Sequence, residues 1–297
     1  MQGRPRIDAV LPVGGESPLL DGCLERLAAQ TEPPGVVFLV DDSPQGTIAE
    51  RPGVQMLRSR GRGPYAARNA GWRASQADVV LFLDVRSRPR PEWVQRLGDA
   101  LAQPEVSLAS SDVRVIGGSS LGSRVGQHHR FFRREVYTRD GLFRPYAPTC
   151  NLGARREALE AVGGFREVRS SADVDMCWRI LADPRRQLVS LAEPLMEWVA
   201  RDRLRDYFEQ NYRYGKAHYS MYANWAAEGA PQKDVMPYRE ITRRGVRLGV
   251  RTARAGIVRR DGEEFVGCLR EAGGLAYELG YRGASGKPGP STALGPT

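Results

Sequence analysis

The stretch VVLFLDVRSRPRPEWV, residues 79–94, decides how this chain folds. Val79 to Leu83 are apolar without interruption and run into a carboxylate, Asp84. So short and uniform an apolar run reads as a strand buried on both faces, the kind a parallel sheet carries. Two residues beyond Asp84 stands Arg86. Pro91 then occupies a position where a first-turn proline is tolerated, and a helix is expected from there to about Ala102. In α/β proteins ligands bind outside the C-terminal ends of the strands, so Asp84 marks a candidate site.

Upstream the same grammar repeats. IDAVLPV, residues 7–13, reads as a strand, and Leu19, Leu20, Leu24 and Leu27 give residues 17–30 a helical period. VVFLV, residues 36–40, is a second apolar strand and runs into Asp41 and Asp42. VQMLR, residues 54–58, is a short third strand, GRGP at 61–64 a turn, and Tyr65 to Ala74 a helix. Alternating strands and helices, with strands apolar throughout, predict a largely parallel sheet covered on both faces. Val13, Asp41 and Asp84 then share its C-terminal edge. Downstream, residues 106–116 hold strand-like pieces and residues 123–146 show no period. TCNLGARREALEAVGGF reads as a strand followed by a helix from Arg155 to Val162, closed by Gly163 and Gly164. Another helix is expected over Asp173 to Leu181, and the chain reads as helical and basic from Leu204.

The 297 residues suffice for one large α/β domain with an appendage, or two modest domains. The formal net charge is +9, carried almost wholly by arginine, with lysine only at Lys216, Lys233 and Lys287. That usage also fits a GC-rich genome. Its distribution says more: residues 201–260 hold 14 Arg and Lys against 6 Asp and Glu. Such a patch suits anionic headgroups, diphosphates or nucleic acid, and no nucleic-acid-binding motif accompanies it. Cys23, Cys150, Cys177 and Cys268 lie far apart, which fits reduced thiols rather than a disulfide framework or a zinc site. No run approaches the roughly 18 apolar residues of a membrane span, and MQGRPRIDAVLPVGG lacks the apolar core of about 7–15 residues that a signal peptide needs. A cytoplasmic protein is the expectation.

Six stretches now stand in order: VLPVGGE, VDDSPQGT, GPYAARNAGW, FLDVRSRPRPEW, CNLGARREALEAVGGFRE and SSADVDMCWRI. Together they resemble the family 2 glycosyltransferases of the GT-A fold, over residues 7–215, and GLAYELGYRG resembles the last helix of soluble bacterial members. The resemblance implies an α/β, Rossmann-like, mainly parallel sheet sandwiched by helices over residues 1–200. Its nucleotide-sugar half reaches to 105 and its acceptor half spans 106–200. A basic helical extension follows over 201–281. The Gly/Pro/Ser-rich residues 282–297 read as a disordered tail.

The same resemblance assigns roles. Pro12 and Val13 border the nucleotide base. Asp41 and Asp42 contact base and ribose, where a carboxylate accepts hydrogen bonds from a uracil-type N–H or from hydroxyls. Arg68 and Asn69 lie near the nucleotide. Asp173 is the base that deprotonates the acceptor hydroxyl, with Ala172 where the family carries a glutamate. Asp84 opens the family's D-x-D element, whose last acid ligates Mn²⁺ or Mg²⁺. Here Arg86 takes that place, and a guanidinium cannot ligate a metal. Three readings stand: Arg86 pairs with the donor diphosphate in place of the ion, a metal is held by other groups including Asp84, or activity is lost. QNYRY resembles the Q-x-x-R-W element of processive members; Gln210 and Arg213 share a helix face, and Arg213 is expected to reach the donor phosphates.

The implied activity is inverting transfer of a sugar from a nucleoside diphosphate sugar to a hydroxyl of a saccharide, lipid-linked or natural-product acceptor. The chain would be cytoplasmic, with peripheral contact to an anionic inner membrane face and no nucleic-acid partner. Besides a nucleic-acid binder, which charge alone suggests and no motif supports, two rival readings remain. A sugar-phosphate nucleotidylyltransferase would use a glycine-rich loop after the first strand, yet Glu16 follows Gly14 and Gly15 where positive charge is needed. The other rival is an inactive nucleotide-sugar-binding protein.

Overall fold

A computed structural model describes residues 4–128, 132–140, 142–258 and 262–285. In chain order its elements are β1 (Ile7–Val13), α1 (Leu20–Ala28), β2 (Val37–Asp41), β3 (Gln55–Arg58), α2 (Pro64–Ala74), β4 (Val79–Leu83), β5 (Ser87–Pro89) and α3 (Trp93–Leu101). There follow β6 (Val106–Ile116), α4 (Leu121–Gln127), α5 (Arg134–Tyr137), β7 (Asn151–Arg155), α6 (Arg156–Val162), α7 (Ala172–Ile180) and β8 (Gln187–Val199). The last three helices are α8 (Leu204–Asn224), α9 (Tyr238–Val258) and α10 (Glu263–Ser285). Among the described residues, no helix is long and apolar enough to cross a membrane. The chain divides into two compact units: Met1–Ile116 with Arg130–Val199, and Gly117–His129 with Ala200–Thr297.

The first unit is built on one eight-stranded sheet of order β3-β2-β1-β4-β7-β6-β8-β5. The pairs β3–β2, β2–β1, β1–β4 and β6–β8 are parallel, while β7 runs antiparallel to both neighbours and β5 antiparallel to β8. The sheet is therefore mixed, its parallel half being the one the apolar strands predict. Strand alternation sends successive side chains to opposite faces. Ala9, Leu11, Val13, Leu81 and Leu83 pack with Leu20, Leu27, Trp93 and Leu97 of α1 and α3. Val10, Val80 and Phe82 pack with Trp72, Leu159 and Met176 of α2, α6 and α7. Both faces being covered, the strand positions are almost all apolar, which is why β4 reads as a continuous run and β1 as one broken only by buried Asp8, which accepts from Val36 N–H and Ser75 Oγ. Gly71 lets α2 approach closely: a Cβ there would lie 2.4 Å from Val10 Cγ1. Replacing fully buried Leu97 with alanine would cost about 2–5 kcal/mol.

The second unit is helical, and α8 and α10 meet through reciprocal glycines. A Cβ on Gly215 would fall 2.0 Å from the Tyr277 carbonyl, and one on Gly280 would fall 2.0 Å from the Tyr212 carbonyl. Backbone contact of that kind leaves no room for any side chain. α4 joins this unit although it lies, by chain order, within the stretch expected to be the acceptor half. Gly122 sits against the backbone of Asp202 and Arg203, and Ser120 caps α4 by accepting from Ser123 N–H. Of the tail expected over 282–297, residues 286–297 lie outside the described residues. Arg282–Ser285 instead complete α10, because Tyr281 and Ala284 are buried and hold the last turn in place.

Candidate functional site

At the C-terminal edge of the parallel strands, the ends of β1, β2 and β4 stand side by side. Val13 pairs in register with Asp41, and Asp42 N–H donates to the Val13 carbonyl at 2.8 Å. Pro12, half-buried, precedes buried Val13 at this edge. Asp41 turns its carboxylate back on its own loop, accepting from Ser43 N–H at 2.8 Å, Ser43 Oγ at 2.6 Å and Ile48 N–H at 3.3 Å. Burial pushes this carboxyl up, yet the Ser43 and Ile48 bonds and the Arg58 charge outweigh it and hold Asp41 below the usual carboxylate value. Asp41 thus shapes the 42–48 loop. Half-buried Asp42 accepts from Ser59 Oγ at 2.7 Å and from Gly63 N–H at 3.2 Å, which ties the β2 end to the turn that opens α2.

After β4 the chain makes a tight turn. Ser87 N–H donates to the Asp84 carbonyl at 2.8 Å, and Asp84 N–H donates to Ser87 Oγ at 3.1 Å. Asp84 Oδ1 accepts from Arg68 Nη2 at 2.5 Å. The Arg68 side chain is 5% exposed and that of Asp84 35%, so the pair joins a buried cation to a carboxylate that still meets solvent. Arg68 Nε is buried with no hydrogen-bond partner among the described residues. Arg86, half-buried, donates from Nη1 to the Val199 carbonyl at 3.1 Å, and its guanidinium carbon lies 5.7 Å from the Trp198 ring centroid. The end of β8 therefore anchors this cation at the strand edge.

Asp173 lies in the first turn of α7. The residue before that helix, Ser171, adopts φ +66°, an unfavourable left-handed conformation for a non-glycine residue and the kind of local strain that gathers at functional sites. Asp173 Oδ1 accepts from the Tyr65 hydroxyl at 2.9 Å and from Val174 N–H at 3.1 Å, and Oδ2 accepts from Thr149 N–H at 3.2 Å. Its buried neighbour Asp175 points elsewhere, pairing with half-buried Arg166 at 2.7 Å and Arg179 at 2.9 Å. Arg179 in turn donates to the carbonyls of Val162 and Gly164. One acid of this motif is thus a joint between α7 and the turn after α6, and the other is left partly accessible.

Asn69 and Arg213 engage other partners. Asn69 is buried, donates to the Phe165 carbonyl at 2.7 Å, and accepts from Phe165 N–H at 3.0 Å and Trp72 Nε1 at 2.9 Å. It clamps α2 to the Gly163–Phe165 turn. Gly164 permits the clamp, since a Cβ there would lie 2.7 Å from Asn69 Oδ1. Arg213 belongs to the helical unit, on α8, with its guanidinium carbon 5.9 Å from the Tyr214 ring. Nearby, Gln210 donates to the Tyr214 hydroxyl at 2.8 Å and accepts from Arg201 Nε at 3.0 Å. Sequence reasoning missed Tyr65 and Thr149. The one available signal for Tyr65 was its i, i+3 spacing from Arg68, which puts both on one face of α2.

Comparison with known proteins bears on this arrangement. Residues 8–163 match the model of the family described as Glycosyl transferase family 2. The pre-mycofactocin glycosyltransferase of Mycobacterium tuberculosis is 33% identical over 153 residues, covering 47% of this chain and 33% of that protein. Glycosyltransferase AglE of Haloferax volcanii is 27% identical over 174 residues, covering 54% of this chain and 56% of that protein. The chain thus spans between a third and somewhat over half of the curated relatives it matches. Among solved structures, the mannosyltransferase PcManGT of Pyrobaculum calidifontis, in complex with GDP-Man and Mn²⁺, superposes with a TM-score of 0.61 at 16% identity. The match covers 94% of this chain and 88% of that one. The likeness shows the fold: a GT-A α/β sheet with flanking helices.

Proposed function

The chain belongs to glycosyl transferase family 2, and on that premise we propose that it moves a glycosyl group from a nucleoside diphosphate sugar to an acceptor hydroxyl, with inversion at the anomeric carbon. The observation that carries this reading is a shared face of α2. Tyr65 holds the Asp173 carboxylate while Arg68, one turn on, holds Asp84 at the end of β4. A base and a strand-end charge cluster are thereby fixed on either side of one rigid helix edge.

In the proposed reaction the acceptor oxygen attacks the anomeric carbon while its proton passes to Asp173. The bond from that carbon to the donor's diphosphate oxygen breaks, and the electron pair leaves with the diphosphate. Tyr65, Thr149 N–H and Val174 N–H keep the carboxylate oriented for that transfer. One base and one direct displacement give inversion. Asp42 and the β1 end, with Pro12 and Val13, border the nucleoside in this reading, and Asp41 acts through its loop.

The donor set at the β4 end does not fit a divalent metal held by this chain's own side chains. Asp84 is the only acid of its turn, Oδ1 is paired with Arg68, and a guanidinium occupies position 86. Among the described residues, no group of three or more His, Cys, Asp or Glu is placed to hold a metal ion. We assign the charge neutralising the leaving diphosphate to Arg86, positioned by Val199 and Trp198. Charge-assisted contacts of this kind strengthen as negative charge develops on the leaving group.

A thermal-shift screen tests the reading. Nucleoside diphosphates and their sugar conjugates should raise the melting temperature, and Asp42→Ala should remove the effect. Preference for a nucleoside triphosphate would favour nucleotidyl transfer instead, and no response to any nucleotide would overturn the proposal.

A further inference from the structure

The basic composition of residues 201–260, together with Tyr207, Phe208, Tyr212, Tyr219, Tyr222 and Trp225, suggests contact with an anionic surface through rings and arginines. Most of those rings are turned inward. Tyr207 and Trp225 are buried, Tyr219 packs edge-on against Tyr281 at 5.2 Å, and Tyr222 packs against His218 at 4.7 Å. The surface that answers the description is α9.

α9 buries only a narrow stripe. Ile241, Leu248 and Ala255, spaced seven apart, are its buried residues. On the outer face Val246, Val250 and Ile257 are 64%, 48% and 85% exposed. Their spacing of four and seven aligns them along one line of the helix. A soluble surface helix carries polar residues there. Beside that line run Arg247 and Arg254, also seven apart and exposed. Among the described residues neither makes an ion pair, whereas Arg243 and Arg244 are paired with Glu240 and Arg251 with Glu271. On the other flank, added Cβ atoms on Gly245 and Gly249 would meet nothing within 4 Å. There the apolar surface continues into an open groove of about 910 Å³ between α9 and α10.

We propose that α9 lies in the interface of an anionic lipid bilayer, with Val246, Val250 and Ile257 entering the headgroup–acyl boundary and Arg247 and Arg254 meeting lipid phosphates. Charge complementarity selects this occupant. An apolar line flanked by uncompensated arginines suits a negatively charged surface that is apolar underneath. A protein partner would need matching acids around an apolar ridge, and a second copy would set arginine against arginine.

The test is co-sedimentation of the full chain with vesicles of phosphatidylcholine alone and of phosphatidylcholine mixed with phosphatidylglycerol, at low and high salt. We expect partitioning to the mixed vesicles only, weakened by salt. Val250→Asp combined with Ile257→Asp should lower it by about tenfold or more, and so should Arg247→Glu combined with Arg254→Glu. All four positions are exposed, so these variants should keep the wild-type melting temperature. No partitioning at low salt, equal partitioning to both vesicles, or undiminished binding by either variant would overturn the proposal. A wild type that dimerises by light scattering and becomes monomeric with Val250→Asp and Ile257→Asp would also overturn it, giving the face to a second copy.

Discussion

Tyr65 and Arg68 sit one turn apart on α2, the Arg68 guanidinium carbon 5.2 Å from the Tyr65 ring centroid, and each holds a different carboxylate. Tyr65 reaches Asp173, 108 residues away in sequence, and Arg68 reaches Asp84. A single helix face therefore sets the spacing between the proposed base and the strand-end cluster. Distortion of α2 should disturb both together.

Asp173→Asn should reduce turnover by about 10²–10⁴-fold, because the amide cannot take the acceptor's proton. Donor binding should stay near wild type by calorimetry. Tyr65→Phe removes only one of the donors that orient the carboxylate, so it should lower kcat by about tenfold, the equivalent of one net hydrogen bond, with little change in KM for the donor. If Tyr65→Phe changed KM and left kcat alone, Tyr65 would be a donor-binding group and not a positioning one.

Asn69→Leu should destabilise the α/β unit by about 2–4 kcal/mol. It leaves Phe165 N–H, the Phe165 carbonyl and Trp72 Nε1 without their buried partner. Nucleotide affinity of the folded fraction should be unchanged. Chemical denaturation and calorimetry on the same sample separate these effects, and a selective loss of affinity would make Asn69 a nucleotide-binding residue instead.

His218 makes the helical unit acid-sensitive. Burial, helped by the Lys233 charge, pushes its imidazole from 6.5 down to about 4. The unfolded chain then binds a proton at a pH where the folded chain does not. Stability from this group is therefore complete above about pH 6.5 and is lost as pH falls towards 4, by on the order of 3 kcal/mol in full. Thermal melts across that window should slope downward, and His218→Gln should flatten the slope.

Much of this was legible in the sequence because it is local. Strands β1, β2 and β4 are short, largely apolar runs because helices cover both faces of the sheet, and acids stand at the ends of β2 and β4. What escaped depends on partners far along the chain. The motif around Asn69 does not show that its amide faces Phe165, 96 residues on. Strand direction leaves no trace in hydrophobic period, so antiparallel β7 was not foreseen within a largely parallel sheet. β8, thirteen residues long, hid behind Ser190, Glu193, Pro194 and Glu197. Its pairing with β6 shifts register between Ser111 and Val113, which breaks the alternation a strand otherwise shows. The rings of α8 read as a surface patch because composition cannot show that α10 packs against them.

The most direct measurement is calorimetric titration of the wild-type chain with UDP- and GDP-sugars in the presence of EDTA. We predict that one of them binds without added metal. Arg86→Ala should weaken that binding by about 1–3 kcal/mol, the range for a hydrogen bond to a charged group. Binding that vanishes in EDTA and returns with Mn²⁺, unaffected by Arg86→Ala, would contradict the assignment of the diphosphate charge to Arg86.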